Sequence, residues 1–309
     1  MQRIQYRRYG GPEEMRLEEF ALPPLRAGQV LVRVKAASVN PFDWKLRAGE
    51  MKFMTGRAFP RAMGSDFAGV VEQVGADVTR LRAGQEVFGT ARIKESGAFA
   101  PMLVTDEKLV AAKPAALSFE QAASLPIAGV TAWRGLMDKA RLRTGQRVFV
   151  NGCTGNVGHV AVQLAKLAGA AVAGSCSGAS EAYARELGVD PVIDYARETP
   201  SGLGKFDVVF DTAGTLSVPD GLALLEPGGV LLDINASLPR VLRGLLSRRY
   251  RMVFGNQTVE TLEHLARLVA EGKLQLRLGR TAPLADAIAL ITDAERGRNP
   301  PGKAVILMG

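Results

Sequence analysis

The sequence is poor in the residues that build metal sites and disulfide frameworks. It has two cysteines, Cys153 and Cys176, and two histidines, His159 and His264. Two cysteines cannot staple a fold, so a reducing cytoplasm is the expected compartment. A zinc site needs three or four Cys, His or carboxylate ligands. This supply excludes a structural zinc lobe and argues against a catalytic zinc, so no metal is expected. No apolar run approaches the ~20 residues needed to span a bilayer. The first residues, MQRIQYRRYGGPEEM, carry charge with no apolar core behind it, unlike a secretory signal. Aromatics make up only 6% of the chain and no nucleic-acid motif occurs. The net charge of +8 therefore reads as that of an enzyme with an anionic ligand, and no nucleic-acid partner is expected.

What is present fits a globular protein of 309 residues, 47% of them hydrophobic and 23% charged, enough for one large domain or two ordinary ones. Up to about residue 118 the pattern is one of strands and turns. QVLVRVKAASV (Gln29–Val39), FAGVVEQVG (Phe67–Gly75) and GAFAPMLVT (Gly97–Thr105) alternate apolar and polar residues, and Gly and Pro punctuate them. PFDWKLRAG predicts one helix, with Pro41 in its first turn and Gly49 past its end. From Leu117 the texture changes. A helical stretch opens with Ser118 as N-cap and should break or kink at Pro126. Strands and helices then alternate: RVFVNG, VGHVAVQLAKLAG, AAVAGSC, SEAYARELG, PVIDY, DVVFDTAG, PDGLALLEPGG (helix) and VLLDIN. Such alternation predicts a parallel sheet with helices on both faces. TVETLEHLARLVAEGK is a further amphipathic helix and KAVILM a last strand.

Between RVFVNG and its helix lies Gly152-Cys153-Thr154-Gly155-Asn156-Val157-Gly158. Glycines three apart, after a strand and before a helix, form a spaced variant of the dinucleotide-binding fingerprint. Backbone N–H groups can then approach a pyrophosphate, and the helix N-terminus adds partial positive charge. An ordinary strand-to-helix turn is the plainer alternative. The next strand ends in Gly174-Ser175-Cys176-Ser177-Gly178, with no acidic residue before Glu181 to hold a ribose 2′-hydroxyl. That favours NADP(H) over NAD, with Ser175, Ser177 and Tyr195 as candidate contacts to a 2′-phosphate. No Lys or Arg sits in this loop. The run Arg240, Arg243, Arg248, Arg249 and Arg251 is one source of the missing cation; a membrane or RNA contact and a solvated basic face are the other readings.

SVNPFDWKLRAG, GSDFAGVVEQVGADV, GQEVFG, SLPIAGVTAWRGL, NGCTGNVGHVAVQLAK, LGVDPVIDY and GKAVIL follow one another over nearly the whole chain. In this order they resemble the medium-chain dehydrogenase/reductase superfamily, within it the zinc-independent quinone oxidoreductase branch. The resemblance implies an α/β chain. A GroES-like β-rich catalytic domain, residues 1–118 completed by 265–309, carries a Rossmann-type doubly wound dinucleotide-binding domain, residues 119–264. It implies an active site in the cleft between them and a homodimer or tetramer; with the acid-free loop that favours NADP(H), NADPH is the expected cofactor and a small molecule the expected substrate. Zinc alcohol dehydrogenases carry Gly-His-Glu where this chain has Gly64-Ser65-Asp66, and a cysteine near Asn40. Hydride transfer to an already electrophilic acceptor then remains: a quinone, or a C=C bond conjugated to a carbonyl.

Negative charge develops on the acceptor oxygen, so a nearby hydrogen-bond donor helps. The resemblance points to Asn40 and Lys45 for this, with Asp43 orienting Lys45 or capping the helix. Loops at the C-terminal ends of strands face the ligand. Thr212-Ala213-Gly214, Asn235 and Phe254-Gly255-Asn256 stand at such ends. By resemblance, Thr131 lies under the nicotinamide and Lys303 reaches the cleft, a strand-edge lysine being the plainer reading of the latter. Cys153 is either a redox-sensitive thiol or a small filler. His159 is expected as a surface or dipole-neutral residue, and His264 exposed or satisfied on its helix. Two alternatives stay open. One is an enoyl or alkenal reductase without quinone activity; the other is a nucleotide-binding protein whose main role is membrane, RNA or protein association.

Overall fold

Sixteen strands in three sheets carry the fold of the described residues. The computed structural model describes all residues but 57, 236–239, 241, 243, 245, 256 and 257, and of 53 and 54 the backbone alone. In chain order the first strands are β1 (Gln2–Tyr6), β2 (Arg16–Glu19), β3 (Gln29–Ser38), β4 (Arg61–Ala62), β5 (Asp66–Val74), β6 (Glu86–Thr90), β7 (Met102–Asp106) and β8 (Val110–Ala112). Then come β9 (Arg147–Asn151), β10 (Ala171–Cys176), β11 (Val192–Asp194), β12 (Phe206–Asp211), β13 (Leu225–Asp233) and β14 (Tyr250–Met252). The last are β15 (Leu278–Pro283) and β16 (Lys303–Leu307). The chain divides into two compact units, Met1–Ile127 with Gln257–Gly309, and Ala128–Asn256.

The first unit is built on a sheet of order β15-β16-β3-β5-β6-β8, with β7 paired to β3, and a small sheet β2-β1-β4. Alternation along β3 turns Val30, Val32 and Val34 into a core with Ile4, Phe67, Phe99 and Leu290. Pairing places Ser38 of β3 opposite Asp66 of β5 on one side and Val305 of β16 on the other. The predicted helix forms over Pro41–Ala48, with Asn40 as N-cap, a capping box to Asp43, and Gly49 at φ +82° closing it. Arg47, fully buried on this helix, is held by Glu295 at 2.7 Å.

The second unit carries a wholly parallel sheet of order β11-β10-β9-β12-β13-β14. Its strands are almost continuously apolar, as a sheet covered on both faces requires: Val148, Phe149 and Val150 in β9, Val208, Val209 and Phe210 in β12 are buried. Strand order runs outward from β9 in one direction and from β12 in the other. The switch point therefore lies between their C-terminal ends, where open α/β sheets bind ligands.

Three local expectations need adjustment. The helix predicted through PDGLALLEPGG stops at Ala223, and β13 begins at Leu225. Gly228 sits at φ +85°, outside the helical region, and Leu225 pairs with Phe206. The strand predicted from Gly97 begins at Met102, because Gly97 turns at φ +113°. The break at Pro126 separates Phe119–Ser124 from Pro126–Trp133, and the chain runs on in a π-helical stretch, Arg134–Ala140. Among the described residues no helix is long and apolar enough to cross a membrane.

Candidate active site

The strand registers of the first unit bring a set of polar side chains into its interior. Asn40, Asp43, Ser38, Ser65, Asp66 and Lys303 are all buried. Lys303 Nζ donates to Asn40 Oδ1. Asn40 Nδ2 donates to Asp66 Oδ2 at 3.0 Å and to the Ser38 carbonyl at 3.4 Å. Asp66 Oδ2 also accepts from Ser38 Oγ (3.4 Å) and the Ile127 N–H (3.2 Å), while its Oδ1 has no partner among the described residues. Asp43 accepts from the Asn40 N–H at 2.8 Å and from Ser65 Oγ at 2.7 Å. Asp43 thus caps the helix. Lys45, further along the helix, is half-buried and makes no side-chain bond among the described residues.

Two carboxyls and one ammonium share this dry site. Burial pushes the Asp43 carboxyl up to about 6, against hydrogen bonds from Ser65 and Asn40 that favour its charge. Burial likewise pushes Asp66 up to about 7, with Lys303 opposing and Asp43 adding to the rise. Lys303 is held below the ordinary lysine range by burial, opposed by Asp66 and Asp43. It is no edge lysine: β16 lies between β15 and β3. The sequence singled out Asn40 and Asp43 together with Lys45, and Lys303 apart from them, whereas Asp66 and Ser65 were expected only as replacements for zinc ligands. The signal for those two lies in the pairing register, not in any local motif.

In the second unit the glycine turn occupies the switch point. Gly152 has φ +78°, and a Cβ on Gly158 would stand 2.0 Å from the Gly152 carbonyl oxygen. No other residue fits at Gly158, which lets the helix Gly158–Leu167 pack onto the end of β9. Thr154, Asn156 and Val157 are half-buried and Gly155 is exposed. His159 is not at the surface: it is buried with Nδ1 3.1 Å from the Gly155 carbonyl. Across the switch point Thr212 Oγ1 donates to the carbonyls of Asn151 (2.7 Å) and Gly152 (3.2 Å). Asn235 Nδ2 donates to the Gly214 carbonyl at 3.1 Å, so the turns after β9, β12 and β13 adjoin. Ala213 closes against Gly152. Asp211 organises these turns: it accepts from Asn151 Nδ2 (2.7 Å) and the N–H groups of Gly214, Thr215 and Leu216. Thr131 is buried on the helix Pro126–Trp133, 3.7 Å from where a Gly255 Cβ would stand, and Phe254 is exposed. Asn256 lies outside the described residues.

The hydroxyls at the end of β10 do different work from that expected. Ser175 is buried; its Oγ donates to Asn151 Oδ1 at 2.6 Å and accepts from the Gly152 N–H at 3.2 Å, so it braces the glycine turn. Ser177 is half-buried and donates to Ser180 Oγ at 3.2 Å. Parallel pairing sets Cys176 beside Asp194, which places Tyr195, 62% exposed, and Arg197, with its side chain 83% exposed, at the same sheet end. Arg197 is a cation at this sheet end that the sequence pattern did not reveal. Cys153 and Cys176 hydrogen-bond each other and are buried. Burial pushes the Cys153 thiol up to about 12 and raises Cys176 too, so both are packing residues with little thiolate.

Three arginines of the run, Arg240, Arg249 and Arg251, serve internal acceptors. Arg240 Nη2 reaches Asp211 and Asp233 at 2.8 Å each, and its Nε reaches Asp233 at 2.9 Å. Arg249 donates to the Gly229 and Glu226 carbonyls, and Arg251 to that of Lys139. Arg248 is exposed, and Arg243 lies outside the described residues. The mid-helix His264 meets Arg267 at 2.8 Å.

Family comparison accounts for both units. An alcohol dehydrogenase GroES-like domain matches residues 26–115, and a zinc-binding dehydrogenase family matches residues 187–306. The chloroplast envelope quinone oxidoreductase homolog of Arabidopsis thaliana is 32% identical over 305 residues, 93% of this chain and 92% of that protein. The chain belongs to the medium-chain dehydrogenase/reductase superfamily, in its quinone oxidoreductase branch. Within the superfamily, the chloroplastic NADPH-dependent alkenal/one oxidoreductase of the same plant is 36% identical over 243 residues, 75% of this chain and 62% of that protein. The quinone oxidoreductase of Escherichia coli, solved in complex with NADPH, superposes with a TM-score of 0.86 at 26% identity, covering 99% of this chain and all of that one. The GroES-like and Rossmann architecture expected from the sequence is the one observed.

Proposed function

We propose that this protein is a zinc-independent, NADPH-dependent oxidoreductase that delivers a hydride to a quinone or to the C=C bond of an α,β-unsaturated carbonyl. The observation that carries the reading is the glycine turn at the switch point, where a Cβ on Gly158 would collide with the Gly152 carbonyl. The cradle fits a pyrophosphate over Gly152–Gly158, and Thr131, Thr212–Gly214, Asn235, Phe254 and Gly255 would flank the nicotinamide. When bound, the cofactor supplies the hydride. Preference for the phosphorylated form is supported by Ser177, Tyr195 and Arg197 at the ends of β10 and β11, where Asp194 is buried against Arg197 at 3.6 Å. Names of relatives as quinone and as alkenal/one oxidoreductases support both acceptor classes.

Asn40 and Lys303 act as one unit in this reading. The amide of Asn40 is spent on Lys303, Asp66 and Ser38, so the ammonium of Lys303 is the charge that favours an acceptor oxygen becoming negative. Zinc independence is supported by Asn40, Ser65 and Asp66 standing where zinc enzymes carry ligands, each tied into hydrogen bonds of its own. Scarce cysteine supports a cytoplasmic setting, and the outer edge of β14, which pairs with β13 alone among the described strands, supports a homodimer. Association with membrane or RNA is disfavoured, because Arg240, Arg249 and Arg251 serve internal acceptors.

The test is oxidation of NADPH and NADH against a panel of quinones and enones. Turnover with NADPH on one acceptor class, and little with NADH, is expected; failure to bind either nucleotide would overturn the reading. Arg197→Ala should raise the KM for NADPH about tenfold, the loss of one charge-assisted contact, and leave the KM for NADH unchanged.

A further inference from the structure

We propose that the open edge of β7 is a docking site for an extended, acidic segment of another protein, which adds to the sheet as a further strand. β7 pairs with β3 alone among the described strands. The Val34 N–H donates to the Pro101 carbonyl at 2.9 Å, which fixes the phase of this antiparallel ladder. Leu103, opposite Val32, and Thr105, opposite Val30, turn their N–H and C=O groups to β3. Met102 and Val104 turn theirs outward. Unpaired groups of this kind are a template for another strand unless covered or guarded.

Along this edge runs a groove of about 490 Å³ whose lining includes Met102 and Val104. Phe20 and Leu22 supply apolar wall. Arg3, Arg26, Arg61, Arg92 and Lys94 supply five positive charges against one lining acid, Glu95; Arg92 is shared between Glu95 at 3.4 Å and Asp106, at the end of β7, at 3.5 Å, which leaves four cations unmatched by an acid. Arg61 donates to the Ala58 and Lys94 carbonyls, so its charge is not cancelled. The exposed side chains of Arg26 and Lys94 have no partner among the described residues. This charge selects the occupant. A second copy of β7 would set five cations against five, whereas an acidic strand meets complementary charge and the free main-chain groups together. A small anion would use the rim and leave the strand edge unpaired. The groove shares no residue with the Asn40–Lys303 cluster, so docking there is independent of the reaction assigned above.

The probe is a fluorescein-labelled hexapeptide of alternating Glu and Val, titrated with the whole protein at low ionic strength and followed by anisotropy. Saturable binding is expected, weakened at least tenfold in the double variant Arg26→Glu, Lys94→Glu. Val104→Pro should weaken it at least tenfold as well. It removes an outward N–H and leaves the β3 ladder intact, as edge positions allow. The same peptide N-methylated at alternate residues should fail on the unmodified protein, an arm that stands even if the proline variant does not fold. No saturable binding, or binding insensitive to the charge reversal, overturns the proposal. Equal binding of the N-methylated peptide overturns strand addition and leaves a polyanion site.

Discussion

Replacing Arg240 by methionine should cost the second unit about 3–5 kcal/mol at pH 8, the usual loss when a buried ion pair loses one partner. Asp211 and Asp233 are both fully buried, and Arg240 is the cation they share at 2.8 Å. Methionine keeps most of the apolar stem and removes only the charge and its donors. Asp211 retains Asn151 and three backbone N–H groups; Asp233 keeps the Tyr250 hydroxyl at 3.0 Å and the Asn235 N–H at 2.8 Å. Those donors hold the loss within this range. Burial already sets the Asp211 carboxyl above its ordinary value, and Arg240 opposes that rise. Without Arg240 it rises further. A raised carboxyl brings no penalty below about pH 4, where the unfolded chain is protonated too, and a growing one as pH rises toward its folded value. The loss measured by urea denaturation should therefore be smaller at pH 5 than at pH 8. A loss under about 1 kcal/mol at pH 8, or a larger one at pH 5, would refute the reasoning.

Asp66 gives the first unit a related pH signature. Its carboxyl, held up to about 7, keeps a proton that the unfolded chain releases near pH 4, so stability falls as pH rises between these values, by up to about 1.4 kcal/mol per unit. Asp66→Asn should flatten that slope in urea titrations at pH 5, 6 and 7; an unchanged slope would place the proton elsewhere. Gly158→Ala should lower nucleotide affinity more than tenfold in a fluorescence titration, since its Cβ needs the space of the Gly152 carbonyl, and wild-type affinity would sink the cradle assignment. Cys153 and Cys176 should resist a thiol reagent in the native protein and react together in denaturant; rapid native labelling would contradict their burial.

Local chemistry made much of this legible from sequence. Pro41 and Gly49 bracket a helix because each suits only one end of it, and the glycine spacing of 152–158 has few uses after a buried strand. Non-local pairing hid the rest. Asn40 and Lys303 meet because β16 and β3 align, and Asp66 joins them because β5 lies on the other side of β3. Ser175 looks like a free hydroxyl at a strand end until β9 brings Asn151 alongside. Arg197 lies far from Ser177 in sequence and near its strand end only through the β10–β11 pairing. Arg240 reads as part of a basic face because its two acids come from the ends of other strands.

The bond between Lys303 and Asn40 spans 263 residues of chain, and the whole of the second unit is made between them. During synthesis that second unit is contiguous and can fold as soon as it emerges. The first unit has by then left β3 without β16 and the buried carboxyls of Asp43 and Asp66 without their cation. The delivery of Lys303 supplies the cation that completes this cluster. The strand edge left open in that interval is a place for a chaperone to act, and a message truncated a few codons short of Lys303 would yield a nucleotide-binding unit tethered to an unfinished partner.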